Sequence, residues 1–394
     1  MTPDHRARAL LDATPGPMHP AALETLMAAL DSGWADPRRL HREGRAARRL
    51  LDTARESVAA QLGVRPPELS FLPGGAAALT TGLAGLLHAG RRRGARVVAS
   101  AVEHSALLVP ARALAAAAQD PGLLAEVPVD ARGCVDLPAW GRALSEPGTT
   151  VAALQVANQE VGARQPLAAA REAARAHGIP LLVDATAALG REAAPSAYDV
   201  LVGDARSWGG PAGVGVLVVP ERTRWRRPGA PSELEHGRTD VEPFIPLVLA
   251  AAEAWRQSAV DLDEEPTARV LVDRIRSAAA AVPDTEVVGD PVDRLPHITT
   301  FSALFVDGEA LVDELDRRGI AVASGSACTA STLEPSHVLR AMGVLTHGNV
   351  RVTLPLASTL PGGHGEREAA VDRLCRELPG VVADVRGRLG AAGL

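Results

Sequence analysis

The chain has 394 residues, of which 46% are hydrophobic and 22% charged, and this balance is typical of a globular protein and not of a disordered one. The formal net charge of −6 creates no basic field, which argues against general binding to nucleic acid. The first residues lack the apolar core of a signal peptide and no apolar run is long enough to span a membrane, so we expect a cytoplasmic protein without a membrane partner.

Apolar strands alternate with helices from about residue 21 to residue 250. The predicted strands cover residues 95–103, 150–158, 179–186, 197–205 and 214–219. Continuous apolar strands separated by helices indicate an α/β fold, with a large and mostly parallel sheet that helices cover on both faces. Ligands of such sheets bind at the carboxyl ends of the strands, and the polar residues at those ends are His104, Asn158, Asp184 and Asp204.

The pattern changes after about residue 261. Helices then alternate with the strands "HITTFSALF" and "IAVASG", which is typical of a smaller α+β domain. We therefore predict a large domain over residues 16–260 and a small domain formed by residues 1–15 and 261–394.

Cysteine and lysine usage narrows the chemistry. The three cysteines lie far apart and form no CxxC pair, so the sequence indicates neither a disulfide framework nor a metal site. Cys134 and Cys375 carry no motif, and we interpret them as structural. All 41 basic residues are arginine, so the chain contains no lysine.

The most informative segment is "SGSACTASTLEPSHVLRAMG", which spans residues 324–343. It resembles the active-site loop of cysteine desulfurases, which are pyridoxal-phosphate enzymes of aminotransferase class V. The resemblance is to the long-loop group, whose cysteine carries a persulfide to acceptor proteins. It extends over nearly the whole chain, through "VEHSALL", "ANQEVGARQPL", "LLVDATAALG" and "LPHITTFSALFVDGEALVDEL". It implies a fold-type I aminotransferase-like fold and a homodimer.

The resemblance assigns roles to four matching residues. Cys328 matches the nucleophilic thiol, and His104 matches the histidine that stacks on the cofactor ring. Asp184 matches the aspartate that pairs with the pyridinium nitrogen. Thr239 matches a threonine that is lent to the phosphate site of the neighbouring subunit.

Other positions depart from the family pattern. Arg206 occupies the position of a family histidine, and Ser207 occupies the position of the Schiff-base lysine. Gln159 occupies the position of an asparagine that belongs to the family's hydrogen-bond network around the cofactor. The phosphate-binding turn lacks its hydroxyl at Ala76, and the arginine that clamps the substrate carboxylate is replaced by Leu356.

These departures bear on the cofactor. An internal aldimine needs a deprotonated amine, which serine cannot supply and a protonated arginine cannot replace. We therefore expect no covalently bound cofactor and an altered or vestigial site at His104, Gln159, Asp184, Arg206, Ser207 and Thr239. Non-covalent binding of pyridoxal phosphate stays as an alternative.

Three functions remain open. The first is sulfur transfer through a persulfide on Cys328, with a sulfur donor or acceptor protein as the partner. The second is a non-catalytic pseudoenzyme that pairs with an active desulfurase or a sulfur acceptor. The third is a pocket that has been repurposed for another small ligand, with a lining of His104, Asp184, Arg206, Ser207 and Trp208.

Simpler interpretations compete at single positions. Cys328 could be a structural loop residue, and Asp184 could only cap the turn after its strand. His104 could be a packed histidine, and Arg206 either a solvated charge or a ligand for an anion.

Overall fold

The structure is a computed structural model that describes residues 8–13, 16–31, 34–262, 265–324 and 335–388. Its largest element is a seven-stranded sheet with strand order β2-β8-β7-β6-β5-β3-β4. The strands are β2 (Leu69–Leu72), β3 (Arg96–Ser100), β4 (Leu124–Val127), β5 (Thr149–Gln155), β6 (Leu181–Asp184), β7 (Val200–Asp204) and β8 (Gly215–Val218). The strand β8 is antiparallel to both of its neighbours, and the other neighbouring strands run parallel. The predicted α/β class with a mostly parallel sheet is therefore confirmed.

Helices cover both faces of this sheet, because its central strands are apolar on both sides. Leu181 and Val183 of β6 pack into one buried cluster, whereas Leu182 between them packs into another on the opposite face. The helices of this part are α1 (Pro20–Leu30), α2 (Arg42–Leu62), α3 (Gly75–Gly90), α4 (Ser105–Ala117), α5 (Leu137–Ser145), α6 (Leu167–Ala176) and α7 (Ile245–Asp261).

The C-terminal part forms a second, smaller core around an antiparallel sheet of order β12-β10-β9. Its elements are α8 (Glu265–Ala280), β9 (Thr285–Val288), β10 (Ile298–Ala303), α9 (Gly308–Arg317), β11 (Ile320–Ala321), α10 (His337–Met342), β12 (Asn349–Thr353) and α11 (Gly363–Arg388). The N-terminal strand β1 (Ala9–Leu10) pairs in parallel with β11 and joins this core. The domain boundaries at 15/16 and 260/261 stay a prediction.

The topology brings the two parts together at one edge of the large sheet. The parallel strands β6 and β7 end at Asp184 and Asp204, so these residues lie at the same edge. From the small core, Asp12 forms a bridge to Thr353 of β12. In the part of the chain that the structure describes, every helix is too short or too polar to span a bilayer.

Candidate functional site

A cavity of about 330 Å³ lies between the strand ends of the large sheet and strand β12. Both parts of the chain contribute to it. Its polar lining residues are Asp12, His104, Gln159, Thr186, Arg191, Asp204, Arg206, Ser207, His297, Arg351 and Thr353.

The carboxylate of Asp204 lies at the N-terminus of α3, where a helix can bind an anion. The backbone N–H of Gly75 donates to Oδ2 of Asp204 at 2.7 Å. An N-terminal N–H of a helix is where an anion is ordinarily stabilised, because the unpaired N–H groups and the helix dipole favour negative charge there. A Cβ on Gly75 would lie 2.9 Å from Cβ of Asp204, so glycine is needed for this close approach. The protein therefore supplies its own anion at the turn that the resemblance assigns to phosphate.

Arg206 binds the same carboxylate in a bidentate manner. Its Nε lies 2.8 Å from Oδ1 of Asp204 and its Nη2 lies 3.0 Å from Oδ2. The hydrogen bond to Asp204 raises the pKa of Arg206 above its usual value, so the guanidinium stays charged. Arg206 is therefore paired with a side chain, while 43% of its own side chain stays exposed to solvent, so both interpretations of this residue hold in part.

Ser207 follows in the same turn and lines the cavity. Its Oγ lies within hydrogen-bond distance of two carbonyl oxygens, at 2.8 Å from that of Leu189 and 2.9 Å from that of Asp204. Its own carbonyl oxygen accepts from Nε of Arg191 at 2.7 Å. The serine thus stabilises the turn through local hydrogen bonds.

His104 and Gln159 line the cavity as the sequence predicts. Nδ1 of His104 accepts from the backbone N–H of Ala106 at 3.0 Å and so caps α4. Because Nδ1 is the acceptor, a neutral His104 carries its proton on Nε2. His104 therefore has a structural role at the start of α4 and also lines the cavity.

Three other predicted residues are not part of the lining. Asp184 is 5% exposed, and its Oδ1 accepts from the backbone N–H of Thr186 at 2.8 Å, which is the turn-capping role. Oγ1 of Thr239 accepts from the backbone N–H of Val241 at 3.0 Å. The expectation that Asp184 and Trp208 line the pocket is wrong. The indole of Trp208 turns into the core, where it stacks edge-to-face on Trp255 with ring centroids 4.9 Å apart.

Cys328 lies outside the described residues. The segment that contains it is followed by Ser336, whose Oγ donates to Oε2 of Glu160 at 2.8 Å and also caps α10. Burial raises the pKa of Glu160 to about 7, although the hydrogen bond from Ser336 and the charge of Arg351 oppose this shift.

Several of the lining residues were not predicted from the sequence. Arg351 and Thr353 alternate with the buried Val350 and Val352 along β12, so a period-two pattern of polar and apolar residues was available in "NVRVT". His297 immediately precedes β10, and although it lies in the segment "LPHITTFSALFVDGEALVDEL", no role was assigned to it. Burial lowers the pKa of His297 well below its usual value, and the charges of Arg191, Arg164 and Arg367 act in the same direction.

Comparison with known proteins assigns the chain to a family. The model of the class-V aminotransferase family matches residues 9–361. The chain belongs to the class-V aminotransferase family. It is 35% identical to an IscS-like cysteine desulfurase of Mycobacterium tuberculosis, over 96% of this chain and 97% of the relative. It is 34% identical to a cysteine desulfurase of Cereibacter sphaeroides, over 93% of each chain.

Two solved structures share the fold of this chain. A NifS-like protein superposes with a TM-score of 0.85 at 22% identity, over 96% of this chain and 100% of the other. The apo structure of a cysteine desulfurase from Thermococcus onnurineus NA1 gives a TM-score of 0.76 at 19% identity, over 94% of each chain. These structures confirm the expected fold-type I architecture. The family match and the two sequence relatives confirm the resemblance to cysteine desulfurases.

The residues of this class-V chain do not fit covalently held pyridoxal phosphate. The turn offers the hydroxyl of Ser207 where an imine needs a primary amine. The N–H of Gly75 is already bonded to the carboxylate of Asp204, which would also repel a phosphate. We therefore derive no reaction step through this cofactor.

Proposed function

We propose that this class-V aminotransferase family member transfers sulfur through Cys328 and works without a Schiff base to pyridoxal phosphate. The relatives that cover nearly the whole chain are named cysteine desulfurases, which supports sulfur as the transferred element. The loop sequence around Cys328 keeps the desulfurase pattern. The main support for activity without the cofactor is the hydrogen bond at 2.7 Å from the N–H of Gly75 to the carboxylate of Asp204, at the turn where the resemblance places the cofactor phosphate.

The proposed reaction is an exchange between a thiolate and a persulfide. The Cys328 thiolate attacks the outer sulfur of a donor persulfide, and a new S–S bond forms on Cys328. The S–S bond of the donor breaks, and the donor leaves as a thiolate, so no external oxidant or reductant is needed. An acceptor thiolate then takes the outer sulfur from Cys328 by the same exchange. The partners in this proposal are a persulfide-bearing donor and a thiol-bearing acceptor.

A homodimer in the cytoplasm is part of the proposal. Large apolar side chains are exposed on the surface around α1 and the turn before α7, namely Met27, Trp34, Leu40, Val241 and Phe244. An ion pair between Arg38 and Glu242 at 3.4 Å connects the two segments, which supports one continuous patch. Exposed apolar patches mark protein interfaces. The free thiols of Cys134 and Cys375 are compatible with a reducing compartment.

The same patch also supports the second candidate, a non-catalytic partner that pairs with an active desulfurase. Purification from cells separates the two candidates. A homodimer is expected for sulfur transfer by this chain, whereas a stoichiometric complex with a lysine-containing desulfurase would favour the pseudoenzyme.

The test of the proposed function is the persulfide itself. The purified protein, free of pyridoxal phosphate, is incubated with a small-molecule persulfide, and its peptides are analysed by mass spectrometry. We expect the mass of one extra sulfur atom on Cys328, and its transfer to an added acceptor thiol. Cys328→Ser should abolish the transfer and Cys134→Ser should retain it. Equal transfer by both variants would contradict the assignment.

A further inference from the structure

The strand β4 forms one edge of the seven-stranded sheet. Among the described strands it pairs only with β3, in parallel. The N–H of Ala101 donates to the carbonyl oxygen of Val127 at 2.9 Å, so the backbone groups of Val127 point toward β3. Successive residues of a strand point their N–H and C=O groups to opposite sides, so those of Leu124 and Glu126 point away from β3.

The open side of β4 offers three backbone groups to a further strand. They are the N–H and the carbonyl oxygen of Glu126 and the carbonyl oxygen of Leu124, for which the described residues supply no hydrogen-bond partner. The N–H of Leu124 is engaged, since it donates to the carbonyl oxygen of Pro121. Beyond the strand, the carbonyl oxygen of Pro128 accepts from the N–H of Asp136 at 3.0 Å. The open length therefore suits one short extended segment, because an unpaired strand edge is a template for another strand.

A groove lies on each face of this edge. On one face, Leu124 packs against the core that includes Leu108 of α4, and Glu126 pairs with Arg112 of α4 at 2.7 Å. The groove between β4 and α4 on this face, which we call the α4 groove, has a volume of about 490 Å³. On the other face, Ala125 packs against the core that includes α5, and a groove of about 750 Å³ lies between β4 and α5. A strand added to this edge would place alternate side chains in the two grooves.

The α4 groove favours an apolar side chain. Much of its lining is apolar and comes from Ala115, Ala116, Pro121 and Leu124. The guanidinium of Arg112 and the carboxylate of Glu126 also line it, and they form a bidentate pair at 2.8 and 2.7 Å, so these two charges neutralise each other. The carboxylate of Asp120 accepts from the N–H of Gly122 at 2.9 Å. An incoming side chain opposite Leu124 therefore meets an apolar surface.

A second copy of this chain fits the groove less well than a foreign segment. If β4 paired antiparallel with β4 of a second copy through the open backbone groups, Glu126 of one copy would lie opposite Leu124 of the other. Directly opposite residues share a face of the sheet, so a carboxylate would enter the apolar groove. Burying a charge against apolar groups is costly. A segment that carries an apolar residue at this position avoids that cost.

We propose that the open edge of β4 binds an extended segment of a partner protein as an added antiparallel strand, with an apolar side chain of that segment in the α4 groove opposite Leu124. The main-chain hydrogen bonds would supply affinity and the groove would supply specificity. None of the residues that line the two grooves lines the cavity at the ends of β6 and β7. The inference therefore stands apart from the proposed sulfur transfer.

The test is a fluorescence-anisotropy titration of the full chain with a short labelled peptide of alternating valine and threonine, capped at both ends. The contrast probe is the same peptide with N-methyl groups on its valines. N-methylation removes the N–H groups that would donate to β4 when the valines occupy the α4 groove. We expect saturable binding of the first peptide and binding weaker by about tenfold or more for the second, because more than one hydrogen bond is lost.

Two pairs of variants locate the site. Glu126→Pro removes the outward N–H, and proline is tolerated on edge strands where the N–H faces solvent. It should bind the peptide about tenfold more weakly than Glu126→Thr, which loses the same ion pair but keeps the N–H. Ala116→Glu puts a carboxylate in the α4 groove and should weaken binding, whereas Ala113→Glu makes the same change at an exposed position of α4 outside the groove and should bind as the wild type does.

The proposal is overturned if the peptide does not bind the wild type, if the N-methylated peptide binds equally well, or if Ala116→Glu and Ala113→Glu bind alike. Equal binding by Glu126→Pro and Glu126→Thr would also overturn it. Sedimentation of these two variants without peptide tests the alternative occupant. A smaller assembly for Glu126→Pro than for Glu126→Thr would show that a second copy occupies the edge of β4, against the proposal. No sulfur donor is present in these experiments, so their result is independent of persulfide transfer.

Discussion

The replacement Glu160→Gln should make the stability of the protein less dependent on pH. Glu160 is 4% exposed, its Oε2 accepts from Ser336, and its Oε1 has no partner within the described ranges. Burial raises the pKa of this carboxyl from 4.5 to about 7. The folded protein therefore keeps a proton that the unfolded chain releases between these two pH values.

The sign and size of the effect follow from this difference in proton binding. The contribution of Glu160 to stability is fully present below pH 4.5 and is lost as the pH rises to about 7. At about 1.4 kcal/mol per pKa unit, the loss amounts to roughly 3 kcal/mol of unfolding free energy. Glutamine has the same shape, can accept from Ser336, and does not ionise.

Urea unfolding at a series of pH values measures this prediction. At low pH the variant and the wild type should have nearly equal free energies of unfolding. Once the pH exceeds the pKa of Glu160 in the folded protein, the free energy of unfolding of Glu160→Gln should exceed that of the wild type by roughly 3 kcal/mol. Glu172→Gln is the matched control, because Glu172 is exposed and forms a surface ion pair with Arg175 at 2.8 Å. A difference in unfolding free energy between Glu160→Gln and the wild type that stays constant across the pH range would show that Glu160 does not take up a proton on folding.

Two other substitutions test the fold and the cofactor site. Glu235→Ala should lower the free energy of unfolding in urea by about 3–5 kcal/mol, because the buried guanidinium of Arg55 then loses its charged partner. In the wild type the two side chains form a bidentate pair at 2.7 and 2.8 Å. A loss below about 1 kcal/mol, which is typical of exposed ion pairs, would contradict this prediction. Asp204→Ser should remove the carboxylate that accepts from the N–H of Gly75, so that this N–H can bind an anion. Calorimetry should then show inorganic phosphate binding about tenfold more tightly, since removing a nearby like charge is worth on the order of 1–2 kcal/mol. Equal phosphate binding by Asp204→Ser and the wild type would show that the carboxylate does not exclude the anion.

Much of the large sheet could be predicted from the sequence. Its strands are apolar runs, and His104, Gln159, Arg206 and Ser207 follow strand ends, so their place at one edge was predictable. The direction in which a side chain points at a strand end could not be predicted from the sequence. Asp184 turns back to its own backbone, and this depends on the turn that follows it.

The small-core side of the cavity depends on long-range pairing. Thr353 reaches the cavity because Asp12 and β10 both pair with β12, and these segments are far apart in the sequence. The contact between Asp204 and Gly75 likewise joins residues 129 positions apart. Local patterns carry no signal for such contacts, so the carboxylate on the phosphate turn could only be found in the structure.

In the proposed function, sulfur reaches Cys328 without a Schiff-base cofactor. It is tested most directly by measuring persulfide on Cys328 by mass spectrometry after parallel incubations, one with a small-molecule persulfide alone and one with L-cysteine and pyridoxal phosphate. We expect persulfide on Cys328 in the first incubation and none in the second. Persulfide formed from L-cysteine and pyridoxal phosphate, with none from the persulfide donor, would contradict it.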